Sequence, residues 1–393
     1  MNIQQLQFES LLATKLIFGV DCVQQKLGSL LTQESFSKVF IATDAGILKA
    51  GIIDNIQRHL KDASIDYTCF AEVEPNPHAE TVMKGKALYE RENCQAIIAV
   101  GGGSAIDFAK CVSAVIANPG HILDYRRGQK ILTEQGPKII VLPTTVGTGA
   151  EVTSSAVITD PAAKRKYVVA SPFIQPQYAM IDPALTYSLP QHIVAATGMD
   201  ALVHAIESYV SLEANPLSEA FSLQAIRMLI EHLPASYANV ANVEARAQIH
   251  LASTLAGFAF NYGKLGIVHS CSHPMSAHYN VPHGLANAII LPYVLGFNKI
   301  ANIKKFAHIA RMFDSSLIVK SDNFAAEQLQ HLVHKFNNEL NIPANFRYLN
   351  IAFTNEMIEQ LALDALDDRG TFPFNPRKAS KEDIIEIYKK VLL

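Results

Sequence analysis

The sequence predicts an α/β N-terminal domain with a mostly parallel sheet over residues 1–187, followed by an all-α C-terminal domain over 188–393. Three observations predict this. At 393 residues the chain exceeds what one hydrophobic core ordinarily serves. Its first half alternates short, wholly apolar runs with helical periods, the pattern of a parallel sheet covered by helices on both faces. Beyond Ser188 strand patterning stops, and helical periods follow one another to the end.

In order, Lys15 to Phe18 reads as a strand and Val23 to Leu31 as a helix; Lys38 to Thr43 is a strand running into Asp44. Ile47 to Leu60 has helical spacing, Asp66 to Phe70 is strand-like, and His78 to Arg91 is helical. Ala96 to Val100 is an apolar strand leading into Gly101-Gly-Gly-Ser104, with a helix from Ala105 to Ala117 and another buried strand from Lys138 to Leu142. In the second half, Ser188-Leu-Pro-Gln191 has the form of a capping box, and Asn215, Asn242 and Ser380 stand as N-caps. Helical periods cover 216–233, 243–262, 285–298, 303–313, 322–340, 353–366 and 381–392.

Composition narrows the function classes. Half the residues are apolar and the net charge is −3, which describes a globular chain with no basic stripe for nucleic acid and no acidic tail. The 5 cysteines include no CxxC pair, which suits free thiols in a reducing, cytoplasmic setting. The N-terminal stretch lacks the basic-then-apolar order of a secretory signal. The longest apolar run, near Ile289 to Phe297, is interrupted by Pro292, so no membrane span is expected.

The chemistry concentrates between Gly266 and Pro292, where His269, His273, His278 and His283 fall close together in apolar surroundings. Clustered imidazoles in such a setting are costly unless each finds a hydrogen-bond partner or a metal. His269 and His273 share a helix face, and so do Asp200 and His204 upstream. One carboxylate with several imidazoles suits Fe(II) or Zn(II), not the oxygen-preferring Mg or Ca. Spacing alone permits two ligand sets, one using His273 and the other His283.

Two glycine-rich loops follow buried strands. Gly101 to Ser104 runs from a strand into a helix, where bare backbone and free N–H groups admit a phosphate. Pro143-Thr-Thr-Val-Gly-Thr-Gly149 offers the hydroxyls of Thr144, Thr145 and Thr148 for phosphate, ribose or a nicotinamide amide. Such loops lie where open α/β sheets hold nucleotides. The GxGxxG fingerprint is absent; the end-of-strand acid Asp44, a candidate for ribose hydroxyls, precedes the glycines.

The runs GMDALVHAIE, GIVHSCSHPMSAHYNVPHGLANAIILP, GGGSAID and LPTTVGTGAEVTS together resemble the iron-containing (group III) alcohol dehydrogenases. Pro75-Asn-Pro77, Asp182-Pro183 and Asn375-Pro-Arg377 match as well. The resemblance, from about Lys38 to the C-terminus, implies a dehydroquinate synthase-like fold with an NAD-binding α/β domain and a helical, metal-binding catalytic domain. It implies metal ligation by Asp200, His204, His269 and His283, with His273 beside nicotinamide and substrate as the proton-handling residue. It places Asn76, Gly102, Gly103, Ser104, Asp107, Thr144, Thr145 and Thr148 at the cofactor, with Asp44 at the ribose and Lys166 near the phosphates or ribose. Two positions depart from the family pattern. Ala150 replaces the usual Ser in GTGAEVT, and the Asp368 to Asn375 segment is one residue longer and more aromatic.

The expectation is a homodimeric, cytoplasmic enzyme that moves a hydride between NAD(H) and a small alcohol, aldehyde or ketone, with Fe(II) favoured over Zn(II). Rival readings are a polyol dehydrogenase or a metal-dependent cyclising lyase on the same fold, and a metal- and nucleotide-binding protein without turnover.

Overall fold

The computed structural model describes residues 8, 11–163 and 165–393, and the chain divides into two compact units. The first spans Leu11–Ser188; the second comprises Leu189–Leu393.

In the α/β unit, β1 (Lys15–Phe18), α1 (Cys22–Gln33), β2 (Lys38–Ala42), α2 (Ala45–Lys49), α3 (Ile52–Asp62) and β3 (Asp66–Phe70) come first. They are followed by α4 (Ala79–Arg91), β4 (Ala96–Gly101), α5 (Gly103–Ala117) and β5 (Ile139–Pro143). Then come β6 (Ser155–Asp160), β7 (Arg165–Ala170) and β8 (Tyr178–Ile181). The six-stranded sheet has the order β1-β8-β5-β4-β2-β3, parallel throughout. Pleating divides its central strands between two cores. Val39, Ile41, Ile98, Val100, Ile140 and Leu142 pack with α1 and α3, while Phe40, Ala42, Ile97, Ala99, Ile139 and Val141 pack with α4 and α5. Both faces are dry, which is why these strands read as unbroken apolar runs. Strand order reverses at β2, whose neighbours β3 and β4 lie on opposite sides, so the crevice of the doubly wound sheet opens at the carboxyl ends of β2 and β4.

Three local expectations change. The helix expected over Ile47 to Leu60 is two helices, parted at Gly51, whose φ of 73° is left-handed. The antiparallel hairpin β6–β7 and the short β8 were not expected. The Ser188 capping box does not form: the helix begins at Gln191, and its N-cap Pro190 offers no side-chain acceptor.

The second unit is all helical. It contains α6 (Gln191–Val210), α7 (Pro216–Ala238), α8 (Val243–Gly263), α9 (Ile267–Tyr279) and α10 (His283–Asn298). The rest are α11 (Ile303–Phe313), α12 (Asp322–Glu339), α13 (Asn355–Leu366) and α14 (Lys381–Leu392). Asn215, Asn242 and Ser380 cap α7, α8 and α14 through their side chains. By length and composition the segment His283–Ala301 could cross a membrane, yet most of it is buried inside the protein, as a core helix is.

Candidate metal centre and nucleotide edge

In the helical unit, α6 presents Asp200, His204 and Glu207 on one face, at i, i+4 and i+7, all buried. α9 supplies the buried His269 and, one turn later, the half-exposed His273. His283 is the first residue of α10. Gly284 lets α10 start this close to α6: a Cβ there would stand 2.3 Å from the Ala196 carbonyl and 3.1 Å from the Asp200 Cβ. Only glycine allows that approach.

The side chains converge. Asp200 Oδ1 lies 3.7 Å from His283 Nε2 and 4.0 Å from both His269 Nε2 and His204 Nε2. One ligand atom each from Asp200, His269 and His283 falls within 4.8 Å of the others. The His204 and His269 rings stack at 4.7 Å. Burial, reinforced by neighbouring imidazoles, holds His269 well below the ordinary histidine range. Burial does the same to His283 and outweighs the pull of Asp200. Neutral imidazoles keep the lone pairs that a metal takes. One carboxylate oxygen among neutral imidazole nitrogens, buried in apolar helices, fits Fe(II) or Zn(II).

The second set of contacts fixes these donors. Glu207 Oε2 lies 2.6 Å from His269 Nδ1, while Oε1 accepts from the Val268 N–H at 2.7 Å. With Nδ1–H donating to the carboxylate, Nε2 is left as the acceptor facing Asp200. Burial pushes the Glu207 carboxyl up to about 7, against the pull of backbone N–H groups and His204. Gly266 leaves room for this arrangement, since a Cβ there would sit 2.9 Å from Glu207 Oε1 and from Asn375 Oδ1. The Asn375-Pro-Arg377 motif closes the same corner. Asn375 and Asn298 pair amide to amide at 2.8 Å, and Arg377 lies 3.9 Å over the Phe297 ring.

His273 stands apart chemically. Its ring stacks on His283 at 5.3 Å, and its Nδ1 meets Asp368 Oδ2 at 2.8 Å. Thr371 Oγ1 and the Gly370 N–H also donate to the Asp368 carboxylate. Burial raises the Asp368 carboxyl, but His273, Thr371 and Gly370 more than offset that and hold it below the ordinary range. His278 instead pairs with Asp364 at the surface, 2.7 Å away.

Sequence reading left out Glu207, Asn287 and Asp368. Glu207 follows Asp200 by seven residues and Asn287 follows His283 by four, so extending the helical spacing finds both. Asp368, 95 residues from His273, has no such signal.

In the α/β unit, the carboxyl ends of β2, β4 and β5 gather the other candidates. Asp44 caps α2, its Oδ1 accepting from the Gly46 and Ile47 N–H groups at 2.8 and 3.0 Å. Its Oδ2 faces the Gly101 turn, 3.4 Å from where a Cβ would stand. A Cβ on Gly102 would lie 3.0 Å from Thr145 Oγ1, and one on Gly103 would lie 3.0 Å from Thr148 Cγ2. The two loops therefore touch through the missing side chains of the glycines. The Asn76 N–H donates to Ser104 Oγ at 3.2 Å, and Lys166 Nζ donates to Asn76 Oδ1 at 2.7 Å. Burial lowers the Lys166 ammonium pKa. The Thr144 hydroxyl is buried without a hydrogen-bond partner among the described residues. Asp107 Oδ2 is already engaged, accepting the Val157 N–H at 2.9 Å, and burial lifts its carboxyl to about 6 against the pull of Lys110.

Residues 13–183 match the family model described as iron-containing alcohol dehydrogenase. Residues 194–392 match that of the C-terminal part of the Fe-containing alcohol dehydrogenase family. The chain is 38% identical over 368 residues to an NAD-dependent methanol dehydrogenase of Bacillus methanolicus, covering 94% of this chain and 96% of that one. It is also 38% identical to a 1,3-propanediol dehydrogenase of Citrobacter freundii, covering 90% of this chain and 91% of that one. A crystal structure of a 1,3-propanediol oxidoreductase superposes with a TM-score of 0.94 at 35% identity, over 98% of this chain and 100% of that one.

Proposed function

The chain belongs to the iron-containing alcohol dehydrogenase family, and from that premise we propose a metal-dependent, NAD(H)-linked enzyme that interconverts a small alcohol with its aldehyde or ketone. The observation that carries this is the convergence of Asp200 Oδ1 with the Nε2 atoms of His269 and His283.

When bound, a divalent metal, Fe(II) in preference to Zn(II), supplies Lewis acidity toward the substrate oxygen, and the nicotinamide supplies or accepts the hydride. Asp200 would contribute the anionic donor to the metal, and His204, His269 and His283 would contribute imidazole nitrogens. Glu207 fixes the His269 tautomer through Nδ1. His273 has its Nδ1 directed at Asp368, which leaves Nε2 to take a proton from the alcohol hydroxyl or return one to the carbonyl oxygen. On the nucleotide side, Gly102, Gly103 and Ser104 offer bare backbone at the α5 N-terminus for the diphosphate. Thr144, Thr145 and Thr148 offer hydroxyls, and Asp44 Oδ2 accepts from the ribose. Lys166, held by Asn76, faces phosphate or ribose, and Asp107 props this edge through Val157.

We assign nucleotide binding to residues 1–187 and metal-dependent catalysis to residues 188–393. A homodimer in the cytoplasm is the family-based reading, and the free, mostly buried cysteines agree with a reducing compartment. The deciding assay is a spectrophotometric screen of small alcohols and aldehydes with NAD(H) on metal-reconstituted protein. Sustained NADH formation with an alcohol is expected. Product formation without net NADH would favour a cyclising lyase, and no turnover on any substrate would favour a binding protein.

A further inference from the structure

Asn287 lies one helical turn beyond His283 on α10 and is fully buried. Its Nδ2 stands 2.6 Å from Asp200 Oδ1, 3.1 Å from His283 Nε2 and 3.2 Å from His269 Nε2. These residues are the three whose ligand atoms converge. An amide NH2 has two hydrogens, so three acceptors share them. The Asn287 Oδ1, meanwhile, is buried without a partner among the described residues. The acceptors explain the orientation. Turned over, the amide would set its oxygen against the Asp200 carboxylate oxygen and the His269 lone pair with no proton between them. His269 Nε2 is one of those acceptors because its Nδ1 is engaged by Glu207.

The lone pairs that Asn287 engages are the ones a divalent cation would take. An N–H dipole aimed at a cation is repelled by it, so amide and metal cannot hold the same three atoms together. We propose that Asn287 is a built-in competitor at the metal site. In metal-free protein its amide satisfies and gathers Asp200, His269 and His283; a metal must displace it, and the site binds metal less tightly than its donors alone would allow. Without such a donor, the empty site would leave a buried carboxylate unpaired, which is destabilising. This role rests on the metal-site reading above.

The test compares chelator-stripped wild type, Asn287→Ala and Asp200→Asn, each titrated with Zn(II) against a chromogenic chelator. Wild type that binds Zn(II) stoichiometrically, with loss in Asp200→Asn, supports the site itself; wild type that binds none overturns both readings. Given a site, Asn287→Ala should bind Zn(II) about ten-fold more tightly, the worth of one charge-assisted hydrogen bond. The gap in Tm between stripped and loaded protein should widen accordingly. Equal or weaker binding by a variant with native circular dichroism overturns the competitor role alone. If Asn287→Ala does not fold, crystal structures of stripped and Zn(II)-loaded wild type decide. Nδ2 should leave hydrogen-bond distance of both imidazole nitrogens on loading, and an unmoved amide overturns the proposal.

Discussion

In the helical unit the candidate site is made of side chains. Asp200, His204, His269 and His283 come from three helices, and the buried Glu207 holds His269 in place. In the α/β unit the candidate site is made largely of missing side chains, since Gly102 and Gly103 let Thr145 and Thr148 approach where a Cβ would crowd them. The difference teaches where each site is vulnerable. A buried donor set fails when one charged atom is lost, because its partners have no water to fall back on. A backbone edge fails when one carbon is gained, and by less, because loops shift to make room. Substitutions in the two regions should therefore differ in size and in which ligand they affect.

The largest effect is expected for Asp200→Asn, which keeps the shape and removes the anionic donor. Removing one member of a buried opposite-charge set costs about 3–5 kcal/mol, more than two orders of magnitude in affinity. Metal content and turnover should be lost together while NAD binding, read by fluorescence, stays. A variant with normal metal content and turnover would put the site elsewhere.

Next in size is the contrast between two histidines of the helical site. His283→Ala should lose metal. His273→Ala should keep it in full and turn over roughly a hundred-fold more slowly, the usual cost of a lost acid–base group. Metal analysis of both purified proteins is decisive. Metal retained by His283→Ala and lost by His273→Ala would exchange their roles.

A smaller effect, confined to the other region, is expected for Gly102→Ala. The new Cβ would meet Thr145 Oγ1 at 3.0 Å, so the threonine has to yield by a few tenths of an ångström. Overpacking of this kind costs about 1 kcal/mol or somewhat more, so NAD should bind roughly ten-fold more weakly with metal content unchanged. Loss of metal in this variant would break the separation of the two regions.

What the sequence made legible follows the same division. The dry central strands and the helical periods announce themselves because burial on a strand or helix leaves a regular pattern, and so Asp200 with His204, and His269 with His273, could be paired on sight. The hairpin β6–β7 was harder, because only Ala156 and Ile158 in β6 and Val169 in β7 are buried, too short a pattern to read. Gly51 split a helix whose apolar spacing continues through the break. Within the site, choosing between His273 and His283 as ligand needed more than spacing. His283 opens a new helix after a turn, and Gly284 sets how close it comes to Asp200. Asp368 was out of reach, since it meets His273 through a loop fold that no local periodicity encodes.

The last effect expected, on cofactor choice, concerns Asp44, a charged side chain at the backbone edge. Its Oδ1 is occupied in capping α2, so removal has a structural cost as well as a cofactor one. Its Oδ2 looks toward the Gly101 turn at the carboxyl ends of β2 and β4, where an open α/β sheet holds the adenosine ribose. There it would accept hydrogen bonds from ribose hydroxyls and repel a 2′-phosphate. Repulsion between unit charges about 4 Å apart is about 1 kcal/mol in water and several times that in a partly buried site. Asp44→Gly should therefore weaken NAD and improve NADP, narrowing the ratio of kcat/KM between them by about ten-fold or more. A Gly at the N-cap costs only a few tenths of a kcal/mol relative to Asp, so Tm should barely move. The two readouts separate the roles. A ratio that stays put while Tm falls would leave Asp44 as a helix cap alone and move cofactor discrimination to another residue of the same edge.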